Sequence, residues 1–217
     1  MSLSALLFPT KCILCGRLLE RGEKDLCCDC RVDAPVCPIS RTKLPFIHGW
    51  VALWHYEDYA RDSILRYKFQ NRRGYAKVYG RLLADKLQQE YPDGFDEITW
   101  VPISLLRKCK RGFDQVELLA EAVGRQLRQK PKRFLKKIRH NRPQSGITGH
   151  AHRKANVLGV YKAIHTEQLI GKRVLLLDDI ITTGATAGEC ARVLLTAGAK
   201  EVIVGAVAAA RSDAKTK

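Results

Sequence analysis

The sequence predicts an α/β protein, a parallel sheet flanked by helices, with a small Cys-rich module at its N-terminal end. Three observations carry this expectation. A wholly apolar run at residues 174–177 reads as a buried strand that two adjacent carboxylates end, and a Thr/Gly-rich turn follows, after which the pattern turns helical. Apolar stretches at residues 98–102 and 201–208 alternate with amphipathic segments, the order expected of parallel strands joined by helices. Six of the eight cysteines fall between Cys12 and Cys37.

The cysteines form two C-x2-C knuckles, Cys12-Ile-Leu-Cys15 and Cys27-Cys28-Asp-Cys30, separated by a polar loop with Gly16 and Gly22. In a chain expected to be cytosolic, such clustering argues for a metal rather than disulfides. Four thiolates suit tetrahedral zinc, so Cys12, Cys15, Cys27 and Cys30 are the expected ligands, with Cys28 or Cys37 able to replace one. A four-thiolate site leaves no open position, which makes the role structural. Residues 10–38 hold too few apolar side chains for a core, so the metal is expected to do most of the folding there. Residues 1–45 are therefore expected to form the module, and residues 46–217 the α/β domain.

Residues 48–59 are rich in aromatics and read as a strand entering a helix, whose face continues through Ile64, Leu65 and Tyr67. Trp50 and Trp54 lie beside Val51 and Leu53 and are expected to pack rather than to stack bases. Residues 78–87 form an amphipathic helix, ended near Pro92 and Gly94. Residues 98–102 read as the first core strand. After Arg111-Gly112-Phe113-Asp114-Gln115, the next helix places Val116, Leu119, Ala120, Val123 and Leu127 on one face. Pro143, Gly146 and Gly149 interrupt residues 134–161, so this stretch is expected to be a mobile loop or hairpin. Gly198 stops the helix that follows the apolar run, and residues 201–208 supply a further strand.

The turn after the carboxylates sits at a helix N-terminus, where backbone N–H groups and the helix dipole favour a phosphate. Thr182, Thr183 and Thr186 add hydroxyls around Gly184 and Ala185. The Gly-Lys-Ser/Thr ending of a nucleotide P-loop is missing, so no Lys reaches further phosphates. Asp178 and Asp179 instead suit vicinal sugar hydroxyls, whose protons carboxylates accept. A phosphate on one side and a diol on the other describe a ribose 5-phosphate.

Composition narrows the classes further. The 217 residues are 46% hydrophobic and 28% charged, ordinary for a globular protein. No apolar run approaches the ~20 residues needed to span a bilayer, so membrane insertion is not expected. Residues 1–8 lack a basic start and a long apolar region, which points to a cytoplasmic protein rather than a secreted one. The net charge of +16 favours anionic partners. Residues 107–154 carry fifteen Lys/Arg against three acids, a net of +12, more than a single small phosphorylated ligand requires. A polyanion would use them, and the expected contacts are Lys108, Lys110, Arg111, Arg139 and Arg142.

The segment from Asp178 to Thr186 resembles the phosphoribosyl pyrophosphate (PRPP) signature of type I phosphoribosyltransferases. Together with the two Cys knuckles, Val101-Pro102 followed by Arg111 to Gln115, and Gln144 leading to Arg153 and Asn156, it makes the chain similar to the ComF family. Asp114 stands where that family usually has Asn, and only Cys37 remains of a second knuckle pair. The resemblance implies a type I phosphoribosyltransferase-like fold behind a zinc module. It also implies that the turn with Ile103, Ser104 and Arg107 holds pyrophosphate, that Gln144, Arg153 and Asn156 lie on a loop closing over PRPP, and that Mg²⁺ accompanies PRPP. ComF-type proteins act late in natural transformation, so single-stranded DNA and a competence helicase are implied as partners. Thr182 stands where several base-specific transferases have an acidic general base, which argues against a purine acceptor. Two functions follow as expectations. One is a PRPP-site protein handling single-stranded DNA, and the other a metabolic phosphoribosyltransferase with an unidentified small acceptor.

Overall fold

The computed structural model describes residues 11–38, 43–139 and 157–211, apart from the side chain of Lys110. Its centre is a four-stranded, all-parallel sheet in the spatial order β1 (Gly49–His55), β6 (Glu201–Ala209), β5 (Arg173–Ile181), β2 (Glu97–Trp100). Both faces are covered, as a parallel sheet requires. Alternation along β5 shows the division: Leu175 and Leu177 join the core on one face, Val174 and Leu176 the core on the other. The first face carries α2 (Asp58–Phe69), α3 (Tyr75–Glu90) and α5 (Gln115–Gln126). The second carries α6 (Ala185–Thr196) and a separate antiparallel pair, β3 (Leu135–Lys137) with β4 (Tyr161–Ala163).

Two expectations are corrected. The first core strand is β1, not residues 98–102, because Trp50 through His55 pair in register with β6 from Val204 to Ala209. The apolar run is also not ended by its carboxylates: β5 continues to Ile181, with Asp178 opposite Ala206 and Ile181 opposite Ala209. The expected helix at residues 78–87 is the middle of the longer α3, which packs against α5. Gly80 makes that approach possible, since a Cβ there would lie 2.4 Å from the Ala122 side chain. Trp50 and Trp54 are core residues, as expected.

The Cys knuckles pack onto the first face. Cys12, Ile13, Leu14, Cys27 and Cys30 share one apolar cluster with Ile64, Tyr67 and Tyr79. A short helix, α1 (Cys28–Asp33), starts inside the second knuckle, and the Cys27 sulfur caps it by accepting from Cys30 N. Among the described residues, no helix is long and apolar enough to cross a membrane.

Candidate functional site

Among the described residues, the signature loops after β5 and β2 leave the sheet on the same side, beyond the C-terminal ends of the parallel strands, where open α/β sheets bind ligands. From β5 come Asp178 and Asp179, then Thr182 to Gly184, and then α6. Gly184 stands in the left-handed region (φ 72°) as the N-cap of α6 and offers no side-chain cap to the first turn. Thr183 Oγ1 accepts from Ala185 N at 3.4 Å. A cavity here is lined by Asp178, Ile181, Thr182, Gly184, Ala185 and Thr186. Leu44 covers one flank, because a Cβ on Gly184 would meet its side chain at 3.0 Å. A Cβ on Gly188 would come as close to Pro45 O.

From β2 comes the turn at Ile103. Ser104 caps α4 (Leu105–Arg111), accepting from Arg107 N, so the expected pyrophosphate turn is the first turn of a short helix. Asp114 ties this turn to α5. One carboxylate oxygen accepts from Val116 N and Glu117 N, and the other from Ile103 N at 3.3 Å. Asp114→Ala is expected to cost about 1–2 kcal/mol of stability, the range for a lost N-cap, measurable by urea denaturation. Asp114→Asn keeps one acceptor oxygen for α5 but turns an amide toward Ile103 N, so it should cost less.

The two central acids have different surroundings because neighbours on a strand face opposite sides of the sheet. Asp179 turns toward α2 and α5. Its Oδ1 pairs with Lys68 Nζ at 2.9 Å, and its Oδ2 accepts from Gln115 Nε2 at 2.8 Å. Burial alone would raise its pKa, but the Lys68 ammonium and the Gln115 hydrogen bond hold it below the usual carboxylate range. Among the described residues, no cation forms an ion pair with Asp178. Burial first, and the Asp179 charge second, push it up to about 8, although its Oδ1 accepts from Asp179 N. Lys137, Tyr161 and Cys190 are near enough to feel its charge. Burial, then the Arg107 charge, bring the Lys137 ammonium down to about 8. At neutral pH a proton on this acid pair therefore favours Asp178 over Asp179.

The expected cations are dispersed. Lys108 is exposed and paired with Glu117 at 2.7 Å. Arg111 is half-buried, its guanidinium 5.0 Å above the Phe69 ring and within reach of the Asp179 charge. Arg107 is half-buried and Arg139 exposed. Gln144, Arg153, Asn156 and Arg142 lie outside the described residues, which do include both ends of that loop as β3 and β4. The loop's return is anchored by Glu189 of α6, which accepts from Gly159 N and forms a two-pronged pair with Arg192.

The four knuckle sulfurs, Cys12, Cys15, Cys27 and Cys30, lie within 4.8 Å of one another. Cys15 Sγ and Cys27 Sγ are 3.7 Å apart. Bonds of about 2.3 Å to one tetrahedral ion put sulfurs at about that separation, so the set fits a metal of the zinc type. Backbone N–H groups of Arg17 and Cys30 point at Cys15 and Cys27 sulfurs at 3.5 Å. Burial would raise the Cys12 thiol, but backbone N–H groups bring it down to about 7, while burial pushes Cys15 and Cys30 up. Four sulfurs this close cannot all ionise without a cation between them. Cys28 is exposed and Cys37 buried elsewhere, and neither belongs to the group.

Comparison with known proteins places the chain in a family. Residues 116–217 match the family described as Phosphoribosyl transferase domain. Over 225 residues the chain is 30% identical to the competence protein ComFC of Streptococcus pneumoniae, covering 88% of this chain and 96% of that protein. The chain belongs to the ComF family. Two further ComF-type relatives match over similar lengths. Competence protein F of Haemophilus influenzae is 27% identical, over 94% of this chain and 98% of its own. The DNA utilization protein YhgH of Escherichia coli is 30% identical, over 90% and 95%. Sequence reasoning missed three contributors to the site of this ComF-family chain: Lys68, Gln115 as a partner of Asp179, and Leu44. The motif Arg111 to Gln115 marked Gln115 as notable but gave it no role.

Proposed function

We propose that this ComF-family protein binds a ribose 5-phosphate ligand, PRPP with Mg²⁺, and works on single-stranded DNA during DNA uptake in the cytoplasm, alongside a competence helicase. The observation that carries the reading is the pairing of a buried acid pair with the N-terminus of α6, whose N-cap is a glycine, at one end of the sheet. The carboxylates accept from ribose hydroxyls, the first turn of α6 with Thr182, Thr183 and Thr186 takes the 5-phosphate, and Ile103, Ser104 and Arg107 take pyrophosphate. Mg²⁺, held largely by the ligand's own oxygens, would neutralise pyrophosphate charge. Zinc in the four-thiolate site is structural. Gln144, Arg153 and Asn156 are assigned to the loop that closes over the ligand.

Names of relatives that speak of competence and DNA utilization support the nucleic-acid half, as does the excess of +12 in residues 107–154. Lys108, Lys110, Arg111, Arg139 and Arg142 are its proposed contacts. Each phosphate neutralised on a single strand adds about −0.7 to the slope of log affinity against log salt. Replacing Lys108 and Lys110 by Ala should therefore flatten the slope by about one unit, less than two full contacts because Glu117 already shares Lys108. Titration of a ~30-nucleotide strand across a salt series checks this. Calorimetry with Mg²⁺-PRPP, with and without that strand, tests the joint reading. Binding of both without turnover supports it. PRPP-dependent pyrophosphate release with a small nucleophile, and no DNA affinity at low salt, would favour the metabolic transferase instead.

A further inference from the structure

We propose that Lys68 is a positioning residue for Asp179, and that helix α2, which carries it, links the phosphoribosyl site to the metal module. The inference rests on the ribose 5-phosphate reading of that site. Both oxygens of Asp179 are engaged, one by Lys68 and one by Gln115. A carboxylate has about four acceptor positions, so two remain for sugar hydroxyls. Tyr67, the neighbour of Lys68, donates its hydroxyl to the backbone oxygen of Gln115 at 2.5 Å. Consecutive residues of α2 thus hold both groups that orient the carboxylate.

Earlier residues of the same helix hold the first knuckle. Ser63 Oγ donates to Ile13 O, and Arg66 donates to Ile13 O at 3.3 Å and to Leu14 O. Ile13 and Leu14 are the two residues between Cys12 and Cys15, so an ion that clamps those cysteines also fixes the carbonyls that α2 bonds. Ser63 is buried, and among the described residues Arg66 Nε is already a buried donor with no hydrogen-bond partner. Losing the two carbonyls would leave more of that guanidinium unmatched, which favours a shift of α2. A shift moves Lys68 and Tyr67 together, and with them the orientation of Asp179. Linkage is reciprocal: ligand on Asp179 holds α2 in place, and α2 holds the knuckle.

The test uses full-length, zinc-loaded protein and two readouts: ribose 5-phosphate affinity by calorimetry, and the rate of zinc transfer to a colorimetric chelator. Lys68→Met should bind ribose 5-phosphate about tenfold more weakly, and Lys68→Arg should recover most of the loss by restoring the cation. Saturating ribose 5-phosphate should slow zinc transfer from the wild type several-fold and leave Lys68→Met unaffected. Equal affinity in wild type and Lys68→Met, or zinc transfer from the wild type indifferent to the ligand, overturns the inference while the site reading stands. A wild type with no affinity for ribose 5-phosphate at millimolar concentration sinks the site reading and this inference with it. The zinc measurement on wild type needs no variant to fold.

Discussion

Cys12→Ser is expected to abolish zinc binding and leave a protein that aggregates or is cleaved within its first forty residues. Structural zinc in small modules contributes an apparent ~10–16 kcal/mol, as large as the whole net stability of a typical domain, about 5–15 kcal/mol. The knuckles are part of the main core: Ile13 and Leu14 are buried against Ile64, Tyr67 and Tyr79, and Asp25 forms an ion pair with Arg81 of α3. Losing the ion should therefore destabilise α2 and α3 as well as the knuckles. Cys30→Ser should behave like Cys12→Ser. Cys109→Ser, at an exposed position, should retain about one zinc per chain, and so should Cys190→Ser, which lies far outside the sulfur cluster. Elemental analysis with limited proteolysis checks both sides. Wild-type protein that is stable and free of metal would overturn the assignment.

The site was readable where its residues are close in sequence. Asp178, Asp179 and the turn to Thr186 occupy one strand–turn–helix, so periodicity and residue chemistry sufficed. The same holds for the knuckles, whose C-x2-C spacing dictates the turn. What escaped depends on packing between distant segments. Gln115 reaches Asp179 across 64 residues, and nothing in its own neighbourhood announces the contact. Lys68 reads as one more cation in a basic chain until α2 is laid against the end of β5. Strand β1 is legible as a strand, but its place beside β6 is a non-local pairing, which the sequence pattern alone does not reveal. The extension of β5 past its acids was hidden because charged residues usually end a buried strand. Here one finds a lysine, and the other keeps a proton.

That difference gives the second large effect, a proton released when the site fills. With Asp178 raised to about 8, its carboxyl is mostly protonated at pH 7. A sugar hydroxyl is accepted better by a carboxylate than by a carboxylic acid, so the ligand selects the ionised form. Affinity for ribose 5-phosphate should rise from pH 6.5 toward pH 8, costing about 1.4 kcal/mol per unit below the Asp178 value, and level off above it. Lys137, also near 8, is already mostly charged at pH 7 and can take up only about a tenth of a proton. Release should therefore dominate, which calorimetry in buffers of different ionisation enthalpy reads directly. Asp178→Asn should remove the release and weaken binding by roughly 1.5–3 kcal/mol at pH 8.5, the range for hydrogen bonds to charged groups. At pH 6.5 the loss should be smaller, because the wild type must first ionise Asp178. Asp179→Asn removes the neighbouring negative charge, so the pH-dependent rise should move to lower pH even as binding weakens. Proton release unchanged in Asp178→Asn would assign the titration to another group and withdraw Asp178 from the hydroxyl contact.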